Sequence, residues 1–309
     1  ISENYLNFAP EYMSFLGEWV TGTYKAFNDA DKYIILVYLF RKNLTFYYEN
    51  FIKVSYDTFY KADHIDIEKI NIVEIAKALG IPKETTRRKV SELEKDGVIK
   101  KKGKHLIIDK TAFKLVEPIN TMRNLTNVFY IIYEICKKKN IIQHNISKDN
   151  ITNSMKSNLT YTWFHYYKFI FIWLFNWKKF FNSDTEKFII WCIPMLHRAN
   201  KMKAENKHPS VDISTWRATI EKIETKGINT MSLSDITGIP RPTVTRKLKT
   251  LIQNRNLYMD KDKLIHPGDQ GKNKAEMYNI QNTALNEFSD FTAKIFNQII
   301  FKSPSSDTK

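Results

Sequence analysis

Two stretches of this chain set out cations and hydroxyls at matching places along one turn-by-turn pattern: Lys83-Glu84-Thr85-Thr86-Arg87-Arg88-Lys89 and Arg241-Pro242-Thr243-Val244-Thr245-Arg246-Lys247. On a helix, at 100° per residue, Val244, Leu248 and Leu251 fall on one side and Arg246 lies nearly opposite. In the first stretch Thr86, Val90 and Leu93 take the inner side, and Arg88 points outward with Glu84 and Thr85 beside it. A guanidinium in that place can donate to O6 and N7 of guanine, and Glu84 can accept from cytosine N4. Thr85, Thr243 and Thr245 suit a phosphate or a thymine methyl, and Lys83 and Arg241, near the helix starts, suit backbone phosphate. Arg87 stands where the second stretch has Thr245. A solvated helix face is the competing explanation for the outward arginines, but the same cation recurs in both stretches.

Those side chains need elements to present them. Ile72 to Leu79 has a short amphipathic pattern capped by Asn71, and Gly80-Ile81-Pro82 ends it and turns the chain. A second helix runs from about Lys83 to Lys95. Val98-Ile99, a Lys-Gly-Lys turn and Leu106-Ile107-Ile108 then read as a β-hairpin. The order repeats: Ser232 to Thr237 with Ser232 and Asp235 in capping-box spacing, Gly238-Ile239-Pro240, a helix over Arg241 to Gln253, and a hairpin of Leu257–Met259 with Leu264–His266. Helix, glycine turn, helix and hairpin make a winged helix-turn-helix. The hairpins add phosphate-seeking lysines, Lys101, Lys102 and Lys104 in the first and Lys261 and Lys263 in the second. Lys100 to Lys104 is formally +4, whereas Asp260 to Lys263 is neutral.

The repetition extends beyond these units. Trp19 to Asn28 aligns with Trp173 to Asn182 at an offset of 154, and Lys32-Tyr33-Ile34-Ile35 with Lys187-Phe188-Ile189-Ile190 one residue further on. Thr85, Arg88, Lys89 and Leu93 align with Thr243, Arg246, Lys247 and Leu251 at 158. The spacing predicts a first half over 1–140 with its winged helix at about 70–110. A second half covers 161–302, with its winged helix at about 231–267. Asn, Ser and Thr dominate 141–160, which reads as a linker, and 303–309 as a disordered tail. Asn28-x-x-Asp31 and Ser183-x-x-Glu186 have capping-box spacing before the second helix of each half. Met122, Leu125, Val128, Ile132 and Ile135 form a stripe that closes the first half, and Leu285, Phe288, Phe291, Ile295 and Ile299 one that closes the second. The expected fold class is mainly α: two winged helix-turn-helix domains with small β-hairpin wings, flanked by aromatic-rich helices and related by internal duplication.

The strings GIPKETTRRKVSELEKDGVI and GIPRPTVTRKLKTLIQNRNL resemble the reading-head segment of bacterial winged-helix repressors of the MarR, IclR and GntR kind. The flanking helices look most like a MarR-type subunit, in which such helices build a dimer interface. The resemblance covers about 40 residues per half, and the chain departs from the family in carrying two heads. It implies a transcriptional regulator that binds double-stranded DNA as a fused pseudo-dimer on an imperfect palindrome. Tandem winged helices are also similar to plasmid-type replication initiators, and winged helices serve as protein-docking scaffolds; both remain alternatives.

Composition agrees with a polyanion partner. The 309 residues carry 48 Lys and Arg against 33 Asp and Glu, a formal charge of +15. The apolar fraction of 43% suits two globular cores. Tyr33–Phe40, Phe169–Phe175 and Phe188–Leu196 are the long apolar runs, too short for a bilayer span, and no signal peptide is expected. Two cysteines in apolar surroundings, Cys136 and Cys192, predict reduced, buried thiols in a cytoplasmic, nucleoid-associated protein. Seven scattered histidines give no metal-ligand spacing, and no phosphate loop or nucleophile elbow occurs, so neither an enzyme nor a cofactor is expected. A small-molecule effector and further homodimerisation stay open.

Overall fold

The computed structural model describes the chain apart from residues 63, 68, 104, 110–118, 206–211, 270–272 and 302–309. Long helices open each half because apolar residues recur at three- and four-residue spacing with few breakers between them. α1 (Tyr5–Lys25) and α2 (Ala30–Glu49) lead to a short α3 (Tyr56–Lys61) and strand β1 (His64–Ile67). α4 (Ile72–Leu79), α5 (Lys83–Lys95), β2 (Ile99–Lys102) and β3 (His105–Asp109) form the first head, and α6 (Ile119–Lys138) follows it. α7 (Lys148–Ser157), α8 (Leu159–Phe180), α9 (Thr185–Glu205) and α10 (Ile213–Lys222) come next. α11 (Thr230–Thr237), α12 (Arg241–Gln253), β4 (Leu257–Met259) and β5 (Ile265–Pro267) form the second head, and α13 (Lys274–Ile300) ends the described chain. The fold is mainly helical with two small antiparallel sheets.

Helix starts differ in detail from the capping-box expectation. Asp29, not Asn28, caps α2 by accepting from the Lys32 N–H at 3.0 Å, and Asp184 accepts from the Lys187 N–H at 3.1 Å at the start of α9. Asn28 and Ser183 have φ of 51° and 62°, left-handed corners that are incompatible with the extended backbone of an N-cap. Likewise α11 begins two residues before Ser232 and is capped by Asn229, which accepts from the Ser232 N–H at 2.8 Å. The expected linker contains α7. Its Asn and Ser act as caps, Ser147 and Asn150 forming a reciprocal box, and Ile151 and Met155, four residues apart, are buried. One more element was not anticipated: β1 pairs with β3, so the first sheet runs β1-β3-β2. In the second head a single bridge from Ile228 to Ile265 stands beside the β4–β5 pair.

The long helices form a shared layer beneath both heads, and they cross between halves. α1 packs against α9 and α8 against α2, while α6 lies on α1 and α13 on α8. Trp19 and Trp173, aligned by the sequence offset, meet edge to face with centroids 5.5 Å apart. Phe15 contacts Tyr166 at 6.1 Å, and the counterpart pair, Phe169 with Tyr12, stands at 6.3 Å. Phe129 of α6 reaches Phe288 of α13 at 5.8 Å. Such aromatic pairs each contribute about 0.5–1.5 kcal/mol beyond burial itself. The stripes of α6 and α13 turn inward, although Ile135 is only half-buried. Cys192 is buried and Cys136 half-buried, so only one thiol is enclosed as expected.

Candidate nucleic-acid interface

Asn71 begins the first helix-turn-helix by accepting from the Val73 and Glu74 N–H groups at 3.1 and 3.2 Å. Gly80 and Gly238 close α4 and α11 with φ of 58° and 76°, a left-handed turn that a β-carbon would strain. Ile81 and Ile239 then bury into the head, and Pro82 and Pro240 start the second helices. Neither proline can cap with a side chain. Among the described residues no side chain caps α5 or α12, so their first-turn N–H groups, apart from Pro242, which has none, lie beside the outward cations where a phosphate oxygen can accept from them.

The inner faces are as expected: Thr86, Val90 and Leu93 are buried in α5, and Val244, Leu248 and Leu251 in α12. Lys83, Glu84, Arg87 and Arg88 are exposed, with Thr85 half-buried next to them. Arg241, Thr245 and Arg246 are exposed and Thr243 is half-buried. Within α5 the charges are already engaged, Arg87 with Glu84 at 3.1 Å and Arg88 with Glu92 at 3.7 Å. α12 contains no carboxylate, and among the described residues no ion pair holds Arg241 or Arg246. Lys249, one turn beyond Arg246 on the same exposed face, belongs with this set although the sequence reading did not include it. Its three-residue spacing from Arg246 was the signal that could have found it.

The next cation in each helix does something else. Lys89 and Lys247 turn inward and ion-pair with Asp29 and Asp184, and Lys247 also reaches Glu186 at 3.3 Å. α5 and α12 are thus fastened to the caps of α2 and α9. Under the first head Lys32 bridges Glu92 at 3.2 Å and Asp96 at 3.0 Å. Lys178 crosses from α8: its buried ammonium donates to the Leu79 carbonyl at 3.1 Å and stands 3.7 Å from Asp31. Burial pulls the Lys178 pKa below its usual value, and Asp31 acts in the opposite sense. Removing water from Asp31 raises that carboxyl, against the pull of Lys178.

The wings differ in what their charges meet. Lys101 and Lys102 are exposed, Lys102 standing 3.4 Å from His64 Nε2, whereas Lys100 is held by Asp109 at 2.5 Å. Lys104 lies outside the described residues. In the second wing Lys261 and Lys263 are exposed. The turn is tied by Asp260, which accepts from the Asp262 and Leu264 N–H groups at 2.9 Å and contacts His266 Nε2 at 2.8 Å. The His266 contact and the two N–H donors hold the Asp260 carboxyl below its usual range.

Residues 68–100, from the approach to α4 through α5 into the first wing, match the family model of winged helix-turn-helix DNA-binding domains. The first head is a DNA-binding domain. No curated protein and no solved structure matches the chain. In such a domain the N-terminal part of the second helix enters the major groove, which is where α5 presents Lys83, Glu84, Thr85, Arg87 and Arg88. Among the described residues no helix is long and apolar enough to cross a membrane.

Proposed function

We propose that this chain is a sequence-specific regulator of transcription that reads double-stranded DNA with both heads, its two halves acting as the two subunits of a dimer of the MarR kind. Residues 1–140 and 161–302 are the subunit equivalents, descended from a duplication, and the DNA site is an imperfect palindrome in the nucleoid. The role is binding, without a reaction.

One observation carries this reading. The contacts between α1 and α8 are reciprocal, Phe15 with Tyr166 and Phe169 with Tyr12, about a Trp19–Trp173 pair. Reciprocity of that kind is what a twofold interface requires. The equivalent clamps Lys89–Asp29 and Lys247–Asp184 support it, since both recognition helices are fastened to the shared layer by matching ion pairs. Half-site centres are then expected about 10 base pairs apart, or a multiple of it.

Selection of bound fragments from genomic DNA, followed by native mass measurement on the shortest enriched duplex, tests the proposal. One chain on two half-sites, enriched near promoters, is the expected result. Two chains on two half-sites would overturn the fused dimer. Enrichment of iterated repeats at an origin would favour replication initiation, and no enrichment would favour protein docking.

A further inference from the structure

Each head rests partly on the other half of the chain. Lys178 of α8 reaches the first head at Leu79, and α1 reaches the second, where its last turn lies on the loop between α11 and α12. A β-carbon on Gly238 of that loop would stand 2.9 Å from Lys25 Cγ, 3.7 Å from Lys25 Cε and 3.7 Å from the Tyr24 ring. The stem of Lys25 thus occupies the space that a side chain at 238 would need. Glycine is favoured there twice, by the φ of 76° and by this close approach.

The ammonium at the end of that stem is uncommitted. Lys25 is exposed, and among the described residues no ion pair holds it. Glu186, whose charge is felt by the neighbouring Tyr24, is already held by Lys247 at 3.3 Å. A lysine in the last turn of a helix complements the helix dipole, which would explain Lys25 without any partner. Lys179, aligned with it at the offset of 154, has that role at the end of α8 and is likewise exposed. The difference lies at the loop. The β-carbon place of Gly80 in the first head has the Ser183 hydroxyl at 3.8 Å, and Lys179 does not reach it.

The loop under Lys25 leads directly into the uncapped first turn of α12, where Arg241, Thr245 and Arg246 are exposed. In a winged helix-turn-helix this end of the second helix enters the major groove, so a cation on the outer side of the loop stands by the strand that borders it. The charge balance gives that cation a use. The first head has exposed Lys101 and Lys102 on its wing, whereas in the second wing Asp260 and Asp262 offset Lys261 and Lys263. Lys25 supplies at the helix start the positive charge that the second wing lacks.

We infer that Lys25 is a phosphate-contacting residue of the second head, contributed across the interface by the first half, and that Lys179 makes no such contact. The inference rests on the proposal that the second head binds double-stranded DNA. Lys25 acts there as a point charge, its ammonium donating to a phosphate oxygen of the half-site read by α12, with no preference among bases.

The test measures affinity across a salt series for the full chain, on the shortest enriched duplex and on an unrelated one. The variants are Lys25→Gln, which keeps most of the stem over Gly238 and removes the charge, Lys25→Arg and Lys179→Gln, each first matched to the parent by circular dichroism. Lys25→Gln is expected to lower the slope of log affinity against log salt by roughly 0.9 on both duplexes. A fourfold rise in salt then costs that variant about 3.5-fold less affinity than it costs the parent. Lys25→Arg and Lys179→Gln should keep the parent slope. Ethylation interference locates the contact: one phosphate in the half-site where Arg246→Ala relaxes base preference should be sensitive in the parent and indifferent in Lys25→Gln. An unchanged slope in Lys25→Gln would overturn the inference. So would an equal loss in Lys179→Gln, which would mark an effect of net charge, or an altered phosphate in the half-site of the first head. If the parent binds no duplex, the functional reading and this contact fail together. If it binds and the slope ignores Lys25, the contact alone fails.

Discussion

The two heads share an order of elements and differ in where they keep their charge. α5 carries five cations and three glutamates, and its Arg87 and Arg88 lean on Glu84 and Glu92. α12 carries four cations and no carboxylate, and among the described residues no ion pair holds Arg241 or Arg246. The wings reverse the contrast, with exposed Lys101 and Lys102 on the first and alternating Asp and Lys on the second. A fold of this kind therefore fixes where a side chain points and leaves open whether its charge is free. On the proposed function, the first head would hold phosphates with its wing and the second would read bases with its helix. From sequence, Glu84 facing Pro242 predicts closer specification under the first head. The Arg87–Glu84 pair shifts that expectation to the second.

The largest expected effect tests whether the heads are also held differently. Lys178 lies under the first head, and Tyr24 occupies the aligned place under the second. Lys178→Ala strands Asp31 and the Leu79 carbonyl, and should destabilise the chain by about 3–5 kcal/mol, read from denaturant unfolding. A loss below about 1 kcal/mol would remove this asymmetry.

Next comes base reading. Arg246→Ala should cost about 1–3 kcal/mol of DNA affinity and relax preference at one base pair. Arg88→Ala should cost less, because Arg88 first leaves Glu92, a surface pair worth about 0–1 kcal/mol. Base-substitution series against each variant measure this, and uniform weakening across all sequences would mark the arginine as a phosphate contact.

A smaller effect belongs to the wings. Replacing Lys101 and Lys102 by Ala should flatten the salt dependence of binding by roughly 0.9 for each phosphate left without its lysine. Replacing Lys261 and Lys263 should do less, since Asp260 and Asp262 flank them. Equal slopes for the two double variants would make both wings ordinary solvated surface. The smallest expected change is a gain: Glu84→Gln frees Arg87 and should tighten DNA binding by about 0.5 kcal/mol at low salt. A weakened complex would instead mean that Glu84 itself contacts a base.

Features that depend on neighbours along the chain were legible from the residues alone. Gly80-Ile81-Pro82 and Gly238-Ile239-Pro240 dictate a left-handed stop followed by a new helix. Inner residues at four- and three-residue spacing then set which faces of α5 and α12 are buried and leave Arg88 and Arg246 outside. These are properties of a few consecutive dihedrals and of helical periodicity. How distant segments meet became visible in the folded chain. Whether Lys89 faces solvent or Asp29 depends on a helix 60 residues away, and the same holds for Lys247 and Asp184. β1 has a partner because β3 lies beside it, and α7 is a helix rather than a linker because α6 and α13 cover Ile151 and Met155. A cavity lined by Trp177, Trp191 and Arg198 was the least legible feature, since at the aligned place in the first half Phe40 packs on Phe59 and Tyr167. Packing between segments far apart in sequence leaves no periodic mark on either one, so it is settled only when the whole chain is assembled.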